Sequence, residues 1–380
     1  WVAMSALPGA KHGTTFGLAV NPADSAQLIA GDSSGSIYRT NDAGTSWSSV
    51  YTGKSSVLVI AFDDLDPNLV LAGTQGRGAM LSRDAGAHWT ATTGMERRSV
   101  RAVAFAQNLM VAATDAGVYL SADGTAWAAS TLKDVSVDAV AVAAVNPPVR
   151  IVAGGESASG SVPMWTSTDG GATWNSANPA ISGTIITRLA TGPLAAGGTV
   201  RPLVAGTNTG LFISSDNGAT FKALSGAQLL PSVDYTQAQF TKAHFDRFYT
   251  ASDGGGGGAG GLWATADSGQ HFSSLQPPIA SITALAVSSD EQPVVYVATF
   301  RASDHTSAMW AFHDTGGTPQ PPSGTPTPPA TAARTNPPAA TLGDLLRSLA
   351  SSQVPYIAVG VIALLVILLA AVSQFRSRRR

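Results

Sequence analysis

The chain has 380 residues, a formal net charge of −2 and no cysteine. The lack of cysteine excludes a disulfide framework and a thiolate metal site. Residues 1–314 carry 16 Lys and Arg against 23 Asp and Glu, a net charge of about −7. This acidic balance argues against a nucleic-acid-binding surface.

A short turn, called the Asp turn below, recurs six times between residues 40 and 272. It reads Ser or Thr, any residue, Asp, any residue, Gly, and then an aromatic residue three positions later; the third copy is one residue shorter. In such a turn the Asp accepts hydrogen bonds from backbone amides, the Gly supplies a positive φ, and the aromatic seals the edge of the sheet. The predicted structural residues are Asp42, Gly44, Trp47, Asp84, Gly86, Trp89, Asp123, Trp127, Asp169, Gly171, Trp174, Asp216, Gly218, Phe221, Asp267, Gly269 and Phe272.

A seventh copy of the turn is divided between the two ends of the repeats. Asp314 is followed by Gly316 and Thr318 but by no aromatic, whereas the chain opens on Trp1. The division predicts a ring whose last blade takes its outer strand from the N-terminus. Such closure protects the sheet edges that a linear array would leave open.

The spacing of the aromatic residues predicts the size of one unit. Successive anchors from Trp1 to Phe272 are 38 to 51 residues apart, which suits a four-stranded propeller blade. We therefore predict an all-β fold, a seven-bladed β-propeller over residues 1–318. Its innermost strands are expected at 15–20, 57–62, 100–105, 137–142, 186–191, 233–238 and 282–287. Six of the seven third strands carry an aromatic residue two places before the turn, with Met80 the exception, and we expect these aromatics to pack between blades: Tyr38, Tyr119, Trp165, Phe212, Trp263 and Trp310.

The C-terminal part of the chain differs sharply in composition. Residues 319–341 are rich in Pro, Thr and Ala and predict an extended, disordered stalk; a short juxtamembrane segment is expected at 342–353. Residues 354–373 are uncharged and long enough to cross a bilayer as one helix. The basic segment 374–380 predicts a cytoplasmic tail. These features together predict a single-pass protein of the cell membrane with an extracytoplasmic propeller.

The Asp turns at this spacing resemble those of the Asp-box, or bacterial-neuraminidase-repeat, superfamily over residues 1–318. That superfamily includes sialidases, sortilin-type receptor domains, xyloglucan-cleaving glycosidases and the photosystem II stability and assembly factor-like propellers. Short units such as residues 205–221 resemble the assembly factor-like group in particular. The resemblance implies scaffolding or binding of protein partners without chemistry.

The face opposite the Asp turns is the expected recognition surface. Arg97, Arg98 and Arg101 stand close together in a chain otherwise poor in charge. They predict a site for an acidic protein segment or another anionic group, the alternative being a solvated surface loop. The partner is expected to be a protein or a glycan. The predicted partner-binding residues are Arg97, Arg98, Arg101, Arg188, Asp138, Asp234 and Arg301.

An enzyme is the competing interpretation. A sialidase has an arginine triad, a tyrosine nucleophile and usually an Arg-Ile-Pro signature, and this chain has no Arg-Ile-Pro. Glycosidases use two carboxylates across a cleft, which Asp138 and Asp234 supply if both lie on first strands; the alternative is that this pair caps the channel mouth. The six His residues show no metal-ligand spacing. We therefore expect neither catalysis nor a cofactor, with a glycosidase or an adhesion protein as alternatives.

Overall fold

The computed structural model describes residues 1–9, 13–144, 149–158, 162–177, 180–194, 200–226, 229, 233–255 and 260–315. The predicted stalk, juxtamembrane segment, membrane span and basic tail lie outside these residues. Within them, no helix has the length and apolar character needed to span a membrane. Residues Trp1–Pro321 form one compact unit.

The described strands form seven antiparallel sheets of four strands each, which confirms the predicted seven-bladed propeller. In each sheet the first strand is innermost and the fourth is outermost. Blade 1 contains β2 (Thr15–Asn21), β3 (Asp24–Asp32), β4 (Ser36–Thr40) and β5 (Ser48–Thr52); blade 2 contains β6 (Val57–Phe62), β7 (Val70–Thr74), β8 (Ala79–Ser82) and β9 (Thr90–Ala91); blade 3 contains β10 (Val100–Ala106), β11 (Leu109–Thr114), β12 (Gly117–Ser121) and β13 (Ala128–Lys133); blade 4 contains β14 (Val137–Ala144), β15 (Arg150–Gly155), β16 (Met164–Ser167) and β17 (Asn175–Ala177); blade 5 contains β18 (Ile186–Thr191), β19 (Leu203–Thr207), β20 (Gly210–Ser214) and β21 (Lys222–Ala223); blade 6 contains β22 (Gln237–Phe240), β23 (Phe248–Ser252), β24 (Gly261–Thr265) and β25 (Ser273–Ser274); blade 7 contains β26 (Ile282–Val287), β27 (Val294–Arg301), β28 (Thr306–His313) and β1 (Val2–Ala3).

The N-terminal strand closes the ring as predicted. β1 pairs with β28, so that Val2 lies opposite Ala311. The indole Nε1 of Trp1 donates to the carbonyl of Leu275 at 2.8 Å, and the amide of Ser5 donates to the carbonyl of Gly44 at 2.9 Å. The first residues of the chain therefore join blade 7 to both of its neighbours.

The first strand of blade 6 differs from its prediction. The sequence predicts it at 233–238, but it spans Gln237–Phe240. The other six first strands carry a register shift at their second residue, whereas no shift interrupts the pairing of β22 with β23. The preceding segment binds blade 5 instead, because the amide of Tyr235 donates to the carbonyl of Thr207 at 3.1 Å.

The hydrophobic core is divided among the blade interfaces. Buried apolar side chains of the described residues form seven clusters, and each cluster joins two neighbouring blades. Tyr38, for example, packs with blade 7 residues such as Tyr296. All six predicted aromatic residues lie in these clusters, which confirms their packing between blades: Tyr38, Tyr119, Trp165, Phe212, Trp263 and Trp310. Met80, the exception in the sequence, also lies in such a cluster.

The small residue near the end of each second strand is required by the neighbouring blade. A Cβ atom added to Gly73 would lie 2.6 Å from the carbonyl oxygen of Val100, the first residue of the next blade's inner strand. Gly31 and Gly154 meet the side chains of Val57 and Ile186 in the same way. The recurring Ala-Gly of the second strands therefore sets how closely two blades approach.

The Asp turns are built from hydrogen bonds that the turn makes with itself. In the first, Oδ1 of Asp42 accepts the amide of Ser46 at 2.8 Å, while the hydroxyl of Thr40 donates to Asp42 and accepts the amide of Gly44. Gly44 has φ +83°, as predicted, and Ala43 before it also has a positive φ of 54°. Five of the six turns place two consecutive residues in the left-handed region, whereas the shorter third turn has only Gly124 there.

The aromatic residue of the turn also binds the turn. The indole Nε1 atoms of Trp89, Trp127 and Trp174 donate to the carbonyls of their own turn glycines at 2.9 to 3.1 Å. Asp314 differs from the other turn aspartates. Its carboxylate accepts hydrogen bonds from Arg247 and from the hydroxyl of Tyr249 in blade 6, and the rest of its predicted turn, 316–318, lies outside the described residues.

We predict that Gly73→Ala destabilises the propeller by about 1–3 kcal/mol, because the added methyl group meets the backbone of Val100. Chemical denaturation of the purified propeller measures the change. Gly226→Ala is the matched control, because a Cβ atom there has only an ordinary contact at 3.4 Å with Phe272. Equal stability of the two variants would contradict the prediction.

The Asp turns also predict how stability depends on pH. Hydrogen bonds from Ser46 and Thr40 lower the pKa of Asp42 to about 2, and those from Thr173 and Ser167 lower the pKa of Asp169 to about 2. An unfolded chain has an Asp pKa of about 3.9. The stabilisation is therefore complete above about pH 4 and is lost as the pH falls toward 2.

We expect the double variant Asp42→Asn/Asp169→Asn to have a lower Tm than the wild type at pH 7, with the difference shrinking between pH 4 and pH 2. Thermal unfolding at a series of pH values measures this. Asp290→Asn is the control, because Asp290 is exposed and lies outside the turns. A difference in Tm that does not change with pH would refute the proposed cause.

Candidate functional site: the loop face and the axial cavity

The antiparallel order of each sheet defines two faces of the propeller. The connections between the first and second strands lie on the same face as the Asp turns, and we call this the turn face. The connections between the second and third strands and those between blades lie on the other face, the loop face. Predicted site residues occur on the loop face and in the channel between the two.

Side chains at the loop-face mouth of the channel connect neighbouring blades. They come from the second residue of a first strand, where six of the seven described first strands carry a β-bulge. The hydroxyl of Thr187 donates to the carbonyl of Tyr235 at 2.6 Å, and that of Thr283 donates to the carbonyl of Thr15 at 2.7 Å. A bulge redirects a side chain, and here it turns these residues toward the next blade.

Arg101 and Asp138 occupy equivalent bulges in blades 3 and 4. Arg101 Nη1 donates to Asp138 Oδ1 and to the hydroxyl of Ser136, both at 2.5 Å. The side chains are 34% and 12% exposed. Burial raises the pKa of Asp138 and Glu156 adds to this, while Arg101 opposes it. The structure therefore brings these two predicted residues together, and the hydrogen bonds of Arg101 link blade 3 to blade 4.

The other two arginines of the predicted basic cluster differ from each other. Arg98 Nε donates to the hydroxyl of Tyr119 at 3.2 Å, and the Arg98 carbonyl accepts the amide of Gly78. Arg97 is exposed, and no ion pair or side-chain hydrogen bond holds it within the described ranges. Of the three, only Arg97 projects freely from the loop face.

Acidic residues surround this cluster. The hydrogen bond from Arg98 to Tyr119 raises the pKa of Arg98, and the charges of Asp115 and Asp134 add to it. Glu96 Oε1 accepts the amide of Gly94 at 3.0 Å. The predicted basic patch is thus a mixed-charge surface over blades 2 to 4, a feature that the linear spacing of the arginines does not show.

Asp234 and Arg301 lie apart from that surface. Asp234 precedes β22 and is half-buried; burial raises its pKa, and the charge of Asp253 adds to the effect. Arg301 ends β27, is exposed and pairs with Asp304 at 3.2 Å. Blade 5 separates Asp234 from Asp138, so the two carboxylates do not belong to neighbouring first strands as a shared pair.

An axial cavity of about 490 Å³ runs between the first strands and reaches the turn face. Pockets of this size commonly hold small molecules. Its walls are the apolar ends of all seven first strands, and Asp63, Asp64 and Lys242 stand where strands end at the turn face. Arg188, expected on the recognition face, lines this cavity instead. In the residues that the structure describes, no group of three His, Asp or Glu side chains is placed to hold a metal ion.

Known structures share this fold. No protein-family model matches the chain, and no curated protein matches it in sequence. A structure of YCF48 bound to D1 peptide aligns with a TM-score of 0.58 and 16% identity over 84% of this chain and 100% of that one. YCF48 from Cyanidioschyzon merolae aligns with a TM-score of 0.54 and 13% identity over 82% and 98%.

An ancestral GH74 enzyme also aligns, with a TM-score of 0.51 and 16% identity. The alignment covers 78% of this chain and 40% of the enzyme. All three are similar in fold. At these identities, the likeness extends to the propeller architecture and no further.

We predict that Asp138→Asn destabilises the propeller by roughly 1–3 kcal/mol, because it removes the ion-pair partner of the partly buried Arg101. The double variant Arg101→Met/Asp138→Asn should recover part of this loss, since no cation then remains unpaired. Denaturation of the wild type, the single variants Asp138→Asn and Arg101→Met, and the double variant measures the coupling. Additive effects of the two changes would show that the pair contributes nothing of its own.

Proposed function

We propose that the propeller is a non-enzymatic protein-binding module and that the loop face over blades 2 to 4 is its recognition surface. The observation that carries this proposal is the arrangement around Arg97. Arg97 is exposed, while Arg98 and Arg101 beside it are fixed by Tyr119 and Asp138. Arginine is enriched among the interface residues that dominate binding energy.

The partner that fits this surface is a protein segment with an acidic group placed against Arg97. Asp115, Asp134 and Glu96 nearby would repel a uniformly acidic chain. The segment should therefore also carry a positive or neutral side chain beside its acidic one. The resemblance in fold to YCF48, a protein seen bound to D1 peptide, supports peptide binding by a propeller of this size.

Membrane attachment is part of this proposal. Residues 354–373 have the length and apolar character of a single span, and the arginines after them favour a cytoplasmic tail. The Pro-rich residues 319–341 would hold the propeller away from the bilayer on the extracytoplasmic side. The loop face would then be available to partners at that surface.

A glycosidase is the second candidate, favoured by the likeness to an ancestral GH74 enzyme and by the raised pKa values of Asp138 and Asp234. A raised carboxyl pKa suits a general acid. Against it, Asp138 is held by Arg101, and blade 5 lies between the two carboxylates. Hydrolysis of xyloglucan or another glycan that is lost in Asp234→Asn would establish the enzyme; no turnover on a glycan panel would remove it.

We expect Arg97→Glu to reduce capture of the protein partner by at least about tenfold without changing Tm, because the side chain is exposed and makes no contact that stabilises the fold. The measurement uses residues 1–318 as bait on detergent-solubilised membranes, followed by titration of the captured protein. Arg101 is left unchanged, since its ion pair contributes to stability.

Arg83→Glu is the matched control, because Arg83 is also exposed but lies next to an Asp turn on the opposite face. Capture should be unaffected by that change. Equal capture by the wild type and the Arg97 variant would show that the loop face over blades 2 to 4 is not the recognition surface.

A further inference from the structure

Arg188 occupies a position where the other blades have uncharged residues. It is the first residue after the bulge of its inner strand and lies opposite Gly206. In every blade the corresponding residue of the first strand pairs with a Gly or Ala of the second strand. Its occupants in blades 1, 2, 3, 4, 6 and 7 are Gly17, Val59, Ala102, Ala139, Gln237 and Ala284. The fold therefore does not require an arginine here.

Arg188 is partly buried, and its guanidinium lacks an acceptor among the described residues. Its Nε is buried, and it has no hydrogen-bond partner within the part of the chain that the structure describes. No ion pair of Arg188 occurs there either. Burial lowers the pKa of Arg188. Burying part of a charged group without a partner costs a protein free energy, so the presence of Arg188 without a structural need points to an anion as its partner.

Most side chains that line the cavity with Arg188 are apolar, and the charged ones among them carry an excess of positive charge. Its described lining includes three cations, Arg188, Arg201 and Lys242, against two acids, Asp63 and Asp64. Lys242 is already paired with Asp64. Arg201 Nε is also buried without an acceptor among the described residues.

The mouth of the cavity on the turn face combines exposed leucines with an ion pair. Leu65 and Leu194 line it and are 72% and 37% exposed. The ion pair of Lys242 with Asp64 joins blade 6 to blade 2 at the same end. A ligand entering here meets leucine side chains first and reaches the arginine after passing walls of Val, Leu, Ile and Phe.

We infer that the axial cavity binds a small amphipathic carboxylate, with the carboxylate on Arg188 and an aliphatic body against the first-strand side chains. A single anionic group matches the unpaired guanidinium, and charge-assisted hydrogen bonds of this kind are the strong ones. The apolar walls favour a hydrocarbon body over a sugar or a nucleotide. This site lies inside the ring and is independent of the loop-face function proposed above.

Octanoate is the probe that tests this inference, and 1-octanol is its uncharged counterpart of equal chain length. The protein is the propeller 1–321, which contains all seven sheets and core clusters of the described chain. At pH 7 we expect octanoate to raise Tm and to bind in calorimetry, and octanol to bind at least about tenfold more weakly. Equal binding of the two, or no binding of octanoate, would overturn the inference.

Arg188→Gln should weaken octanoate binding by roughly tenfold or more and should leave the fold intact, since Gln237 occupies the equivalent place in blade 6. Arg188→Ala is the second variant, after Ala102 and Ala139. Arg150→Gln is the control, because its Nε is also buried without an acceptor among the described residues but lies outside the cavity lining. Unchanged affinity in the Arg188 variants, or equal loss in the control, would refute the site.

Discussion

The fold depends on packing between blades, because the described core clusters each span an interface between two neighbouring sheets. Each sheet buries both faces against its neighbours, and each interface needs both partners in place. An open array would expose the apolar faces of its first and last sheets. The pairing of β1 with β28 and the bond from Trp1 to Leu275 are the means by which the ring avoids this.

Close approach of the blades also determines where chemistry is possible. Second strands have Gly or Ala where the next inner strand passes, and a Cβ atom added at Gly31, Gly73 or Gly154 would meet that strand. The charged residues of the candidate site accordingly lie on the loop face and in the channel. At the loop-face mouth, bulges turn Arg101, Thr187 and Thr283 toward the next blade. The hydrogen bonds of these side chains therefore link neighbouring blades.

The sequence predicted what repeats and missed what depends on a neighbour. Turn spacing and strand alternation gave seven blades, the closure and the aromatic packing, because these follow from local patterns that recur. The start of β22 was misplaced, because the segment before it bonds to Thr207 of blade 5 rather than to its own sheet. The sequence placed Arg101 and Asp138 among the partner-binding residues, and only the three-dimensional ring shows that they form an ion pair with each other.

Charged residues that have partners within the propeller differ from those that are available to bind a ligand. Asp138, Asp314 and the turn aspartates all have partners within the protein, and their pairing accounts for their presence. Arg97 and Arg188 have no such partner among the described residues; Arg97 is exposed on the loop face and Arg188 lines the axial cavity. An exposed cation is solvated by water and costs the fold little free energy, whereas a partly buried cation costs free energy unless an anion pairs with it. The two sites therefore suit different ligands. The open loop face can contact a protein segment, whereas the volume of about 490 Å³ limits the channel to a compact anion.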